Sequence, residues 1–93
     1  MRVRYSLRAF ADRDALFAYL EKRSAQSGRV VKRAIVRAIR LLASHPRMAP
    51  LTDQRRVHEL NVPRRPYKVY YRIEGHEVWI VHIRDARRRP WKD

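Results

Sequence analysis

Apolar and polar positions alternate at the start of the chain. Val3, Tyr5 and Leu7 are separated by Arg4, Ser6 and Arg8, the period of a strand with one buried face. Asp12 then stands where a helix cap is wanted, and Asp14 falls in the following turn, where a carboxylate meets the positive end of the helix dipole. Leu16, Tyr19 and Leu20 recur at three- and four-residue steps and form the expected buried face of a helix ending near Ser27 and Gly28. The clearest periodicity runs from Arg29 to about Ser44. There Val31, Ile35, Ala38 and Leu42 fall within a narrow arc at about 100° per residue, while Arg29, Arg33, Arg37 and Arg40 gather on the opposite side. With Gly28 between them, the two helices are expected to form a short αα-hairpin. Pro46, following His45, ends the second helix, because proline lacks an amide and fixes φ.

The remainder reads as strands. One is expected near Arg56 to Val62, closed by Pro63, and a hairpin is expected from Tyr67–Ile73 and Glu77–Arg84 around Glu74, Gly75 and His76. The turn length decides which residues share a face. A two-residue turn at Gly75 and His76 sets Glu74 directly opposite Glu77, an unfavourable pair. A three-residue loop, with Gly75 or a neighbour in a bulge, gathers Tyr67, Val69, Tyr71, Ile73, Trp79, Val81 and Ile83. Its other face carries Lys68, Tyr70, Arg72, Val78, Ile80, His82 and Arg84, and this is the register expected. The order is β-α-α-β-β-β, an α+β fold in which a helical hairpin packs on a small antiparallel sheet.

Composition narrows the reading. Ninety-three residues with 45% apolar content make one domain, residues 1–93, with one small core. Lys and Arg number 23 against 9 Asp and Glu, a formal charge of +14. That excess favours a polyanionic partner, either nucleic acid or an acidic protein segment. The cations are mostly arginine, which suits bidentate contact with phosphate or carboxylate, although a GC-rich genome gives the same bias. With no cysteine, disulfides, a thiolate nucleophile and a Cys-based zinc site are excluded. The first residues have no apolar h-region, and no stretch approaches the roughly 18 to 20 apolar residues of a membrane span, so a soluble cytoplasmic protein is expected. The four histidines have no metal-ligand spacing, and no metal site is expected. His45 reads as a residue near a helix end. The arginine row of the second helix is either a solvated face or a docking surface for an acidic partner. At the end of the chain, Arg87, Arg88 and Arg89 lie beside Trp91. This cluster is either an ordinary basic tail or a device that holds phosphate by charge and a ring by stacking.

The helix pair, the proline-marked loop after Leu41-Leu42-Ala43, the strand ending Glu59-Leu60, the run Tyr67-Lys68-Val69-Tyr70-Tyr71-Arg72 and the terminal arginines together resemble the RelE/ParE superfamily of toxins from bacterial type II toxin–antitoxin systems. The resemblance covers nearly the whole chain. It implies neutralisation by a cognate acidic, ParD-like antitoxin in a hetero-oligomer, with Arg33, Arg37, Arg40, Lys68, Tyr70 and Arg72 as expected antitoxin contacts, and it implies no cofactor. RelE-like members cut messenger RNA on the ribosome, whereas ParE-like members bind and poison DNA gyrase. Metal-free RNA cleavage needs a base, an acid and cations for the phosphorane. Lys68, Arg72, His82 and Arg88 are the candidates for that chemistry, with His58 a further acid–base candidate. The strand matching the lysine-bearing one of RelE-like nucleases offers Glu59 and Asn61 instead, and Asp93 precedes any counterpart of their terminal tyrosine. Many ParE-like chains carry a histidine just before the terminal arginine pair; here that position is Asp85. The expected reading is therefore ParE-like, acting by binding, with Arg84, Arg87, Arg88, Arg89 and Trp91 contacting gyrase. The alternative is a ribosome-dependent endoribonuclease.

Overall fold

A computed structural model describes residues 1–87; the roles expected of Arg88, Arg89 and Trp91 lie outside the described residues. The elements are β1 (Arg2–Tyr5), α1 (Leu7–Arg23), α2 (Ala25–Ser44), β2 (His58–Asn61), β3 (Tyr67–Glu74) and β4 (Glu77–Asp85). The order of elements and the helical hairpin are as expected. The strands lie β1-β4-β3-β2; β2, β3 and β4 are antiparallel, and β1 adds to β4 in parallel, so the sheet is mixed.

Helix boundaries differ from the periodicity reading in two places. Ser6, not Asp12, caps α1: its backbone is extended and its Oγ accepts the Ala9 amide at 3.1 Å. The strand consequently stops at Tyr5, and Leu7, expected on its buried face, is 93% exposed. Ser24, not Gly28, separates the helices. It donates its amide to the Leu20 carbonyl and accepts the Ser27 amide on its Oγ, closing α1 and capping α2 with one residue. Gly28 lies inside α2, where a Cβ would sit 2.7 Å from the Leu20 carbonyl oxygen. The glycine is there because two helix backbones meet, not because the chain turns.

One face of α2 forms the centre of the core, with Ile35, Ala38, Ile39 and Leu42 buried and Val31 packed beside them. Leu20 joins this core from α1, whereas Leu16 is half-buried and Tyr19 lies at the surface. The His45 amide closes the last turn of α2 on Leu41, and the 46–50 loop is then pinned from the sheet. Tyr71 donates its hydroxyl to the Pro46 carbonyl at 2.8 Å, and the ring of His58, stacked on Tyr71 at 4.8 Å, donates from Nδ1 to the Ala49 carbonyl.

The hairpin takes the two-residue turn that the pairing of its glutamates argued against. Gly75, with φ +60°, and His76 form the turn, and Glu74 faces Glu77. Each carboxylate has its own cation: Glu77 is paired with Arg4 on β1 and lies below the usual carboxylate pKa through that bond, while Glu74 faces Arg72 at 3.9 Å. The apolar face is recovered by a bulge further along. Tyr71 pairs with Ile80 but Tyr70 pairs with His82, which leaves Val81 as an extra residue on β4. Val78 and Ile80 therefore reach the core, together with Ile83, instead of Trp79 and Val81.

Replacing Gly28 with alanine is expected to destabilise the protein by about 1–3 kcal/mol, because the contact is with backbone that cannot rotate away. That loss exceeds the roughly 1 kcal/mol of helix propensity that alanine adds. Urea unfolding checks it: an unchanged or raised midpoint for Gly28→Ala contradicts the close approach.

Candidate functional site

The outer side of α2 presents Arg33, Arg37 and Arg40, all exposed, and no carboxylate among the described residues pairs with them. They line a groove together with the apolar side chains of Phe17, Val36 and Leu41 and with Arg29 and His45. A second depression, between α2 and β2, shares Arg37 and Leu41 and adds Met48, Leu60 and Arg64. Leu41 and Met48 are both about half exposed. Apolar side chains beside guanidinium groups without a carboxylate partner suit an amphipathic segment that carries carboxylates.

Lys68, Tyr70 and Arg72 lie elsewhere. They occupy the sheet face turned away from the helices, so the six residues expected to contact an antitoxin form two separate groups. Lys68 is paired with Glu59 at 3.1 Å. Tyr70 is buried, stacked on His82 at 5.7 Å, and its hydroxyl accepts from Arg84 at 3.2 Å. Arg72 is exposed and sits opposite Trp79, which in turn lies under Arg4.

The described members of the ribonuclease set share one sheet face but are spread along it. Lys68 and Arg72 are four residues apart on β3, about 13 Å along a strand. His82 lies between them in the register, 8% exposed, with Nδ1 donating to the Asp12 carboxylate at 2.6 Å. The same Asp12 oxygen accepts the Ile83 amide at 3.1 Å. His58, the other acid–base candidate, is committed to Ala49 and Tyr71.

The expected target-binding residues begin where β4 ends. Asp85 accepts the Arg87 amide at 2.9 Å and holds the Arg87 guanidinium through both carboxylate oxygens, at 3.0 and 2.7 Å. Ala86 donates to the Pro66 carbonyl, and Arg84 reaches both Tyr70 and the Ala86 carbonyl. The aspartate at position 85 thus has a structural role, since it turns the chain and orients the first arginine of the terminal cluster. Sequence reasoning missed Asp12, whose carboxylate serves the β4 edge rather than a helix end. No periodic signal marks such a role, since the partners are 70 and 71 residues away.

A two-layer α+β domain of this order, with arginine-rich surfaces on both layers, is the architecture of the small RelE/ParE-type toxins. The sequence matches the family described as ParE toxin of type II toxin–antitoxin system, parDE, over residues 3–90, and the chain belongs to that family. The fold is similar to that of a chain in the structure of a chromosomal ParDE TA system from P. aeruginosa, with a TM-score of 0.76 and 21% identity over 89% of this chain and 92% of that one. No curated protein matches the sequence.

Burial holds His82 below its ordinary pKa of 6.5; the Asp12 carboxylate opposes this, and Arg8 and Arg84 add to the lowering. The ring is therefore neutral at pH 7. As pH falls below about 6.5 the unfolded chain takes up this proton before the folded one, so stability falls with pH in that window. Urea unfolding between pH 7 and 5 is expected to show the decline, and His82→Gln, which keeps a donor for Asp12, is expected to flatten it. An equal slope in the variant contradicts the assignment.

Proposed function

We propose that this ParE toxin arrests bacterial growth by binding DNA gyrase in the cytoplasm, and that an acidic antitoxin neutralises it. The observation that carries the choice of binding over cutting is the commitment of the candidate acid–base groups. His82 is tied to Asp12 and His58 to the 46–50 loop, and Lys68 is paired with a glutamate. Proton transfer to and from a ribose and a leaving oxygen needs groups within hydrogen-bond reach of one reacting centre. The target-binding reading rests on Arg84, Arg87, Arg88, Arg89 and Trp91, a basic cluster whose beginning is oriented by Asp85.

The antitoxin reading is supported by charge and by the grooves of α2. At +14 the chain associates faster with an acidic partner, and salt weakens the encounter. Arg33, Arg37 and Arg40 are the antitoxin contacts best supported, since they are exposed, pair with no carboxylate among the described residues and line a groove with Phe17, Val36 and Leu41. Lys68, Tyr70 and Arg72 serve only if the antitoxin also reaches the other face of the sheet.

A pulse of inducible expression in a bacterial host, with DNA synthesis, translation and the DNA-damage response followed in one culture, tests the proposal. Early damage signalling and filamentation are expected, with translation continuing. Immediate arrest of translation with DNA synthesis intact contradicts gyrase as the target and assigns the chain to ribosome-dependent cleavage.

A further inference from the structure

A guanidinium on α1 is held without a carboxylate partner among the described residues. The Arg13 side chain lies among three rings, 5.0 Å from the centroid of Tyr5, 5.4 Å from Phe10 and 5.8 Å from Phe17. Its Nε is buried and has no hydrogen-bond acceptor, and no carboxylate among the described residues pairs with the group. Asp12, next to it in sequence, is turned into the β4 edge. The ring faces offset part of the cost of desolvating the cation. They do not accept hydrogen bonds as a carboxylate does, and a buried donor left unmatched in a folded protein calls for an explanation.

Nε is shielded by this chain's own side chains, but the Nη atoms at the outer edge of the group are not among the buried ones and are open to a partner. Leu7 and Phe10, one turn apart on α1, are 93% and 49% exposed, so the outer side of this cage ring and its neighbour form an exposed apolar pair. Phe17 belongs both to the cage and to the arginine-edged groove of α2, with Lys32, paired to Glu21, over its ring at the junction. The three rings hold the guanidinium in a partly buried setting, where its attraction for an anion is stronger than in open water. Arginine's planar fork then favours a carboxylate held by two parallel hydrogen bonds.

We infer that Arg13 is the anchor for an aspartate or glutamate of the antitoxin, carried on an amphipathic segment whose apolar side chains cover Leu7 and Phe10. This rests on the antitoxin reading above. It adds a surface on α1 to the α2 arginines, and it assigns the strongest single contact to a residue that periodicity places among the polar positions of a helix.

The test uses Arg13→Met and Arg13→Lys in the full chain, titrated with the antitoxin that neutralises the wild-type protein in a growth-rescue screen. Free Arg13→Met is expected to melt at or above the wild-type temperature, since it removes an unmatched cation. Its affinity for the antitoxin is expected to fall about 30-fold or more. Arg13→Lys keeps the charge but loses the fork, and is expected to fall between the two. Wild-type affinity in Arg13→Met overturns the inference, and so does a marked drop in its melting temperature, which would make Arg13 a packing residue. If no antitoxin binds the wild-type chain, the antitoxin reading itself fails and Arg13 loses its occupant. Binding to wild type with equal binding to both variants removes Arg13 alone.

Discussion

The Asp12 carboxylate accepts hydrogen bonds from the Ile83 amide and the His82 ring at the point where β4 has outrun its neighbour. β1 accompanies β4 only as far as Ile80, whereas β4 continues to Asp85. Unpaired edge groups on a half-buried strand are costly. Helix α1 meets them instead of a strand: Ser6 donates its amide to the Ile80 carbonyl and its hydroxyl to Val81, and Asp12 then takes the next inward amide. Those contacts lay α1 along the end of β4. The single-residue joint at Ser24 and the close approach at Gly28 then place α2, and with it the whole helical layer, over the sheet.

How much of this was legible in the chain depended on the range of each interaction. The core stripe of α2 was readable because Ile35, Ala38 and Leu42 obey a local period and are buried as that period requires. The α1 boundaries were not, because Asp12 and Gly28 have local roles that they do not play, and Ser6, which fits the strand alternation, caps the helix instead. Asp12 is an apt cap residue spent on a distant strand, and Gly28 is an apt turn residue spent on helix contact. In the hairpin, glutamate repulsion argued for a longer loop. It is outweighed because Arg4, on a strand 73 residues away, supplies Glu77 with a counter-charge. The compensating bulge at Val81 has no glycine to mark it.

The candidate site was legible by residue type more than by arrangement. Arg33, Arg37 and Arg40 form one exposed surface, as their spacing implied. Lys68, Tyr70 and Arg72 fall on the opposite side of the molecule, and the histidines that carried acid–base potential are used to hold loops and helix edges together. What distinguishes the surface chemistry is therefore arginine with no carboxylate partner among the described residues, beside exposed apolar side chains, on helices rather than on the sheet. With 23 Lys and Arg against 9 Asp and Glu, many cations are left without a carboxylate of this chain, which suits the acidic partner proposed above.

Action by binding rather than by cutting is the claim on which the functional account turns, and supercoiling of relaxed plasmid by DNA gyrase in the presence of the purified protein tests it most directly. The account predicts loss of supercoiling with accumulation of gyrase-cleaved DNA. Supercoiling and cleavage unchanged at large molar excess of the toxin would contradict it.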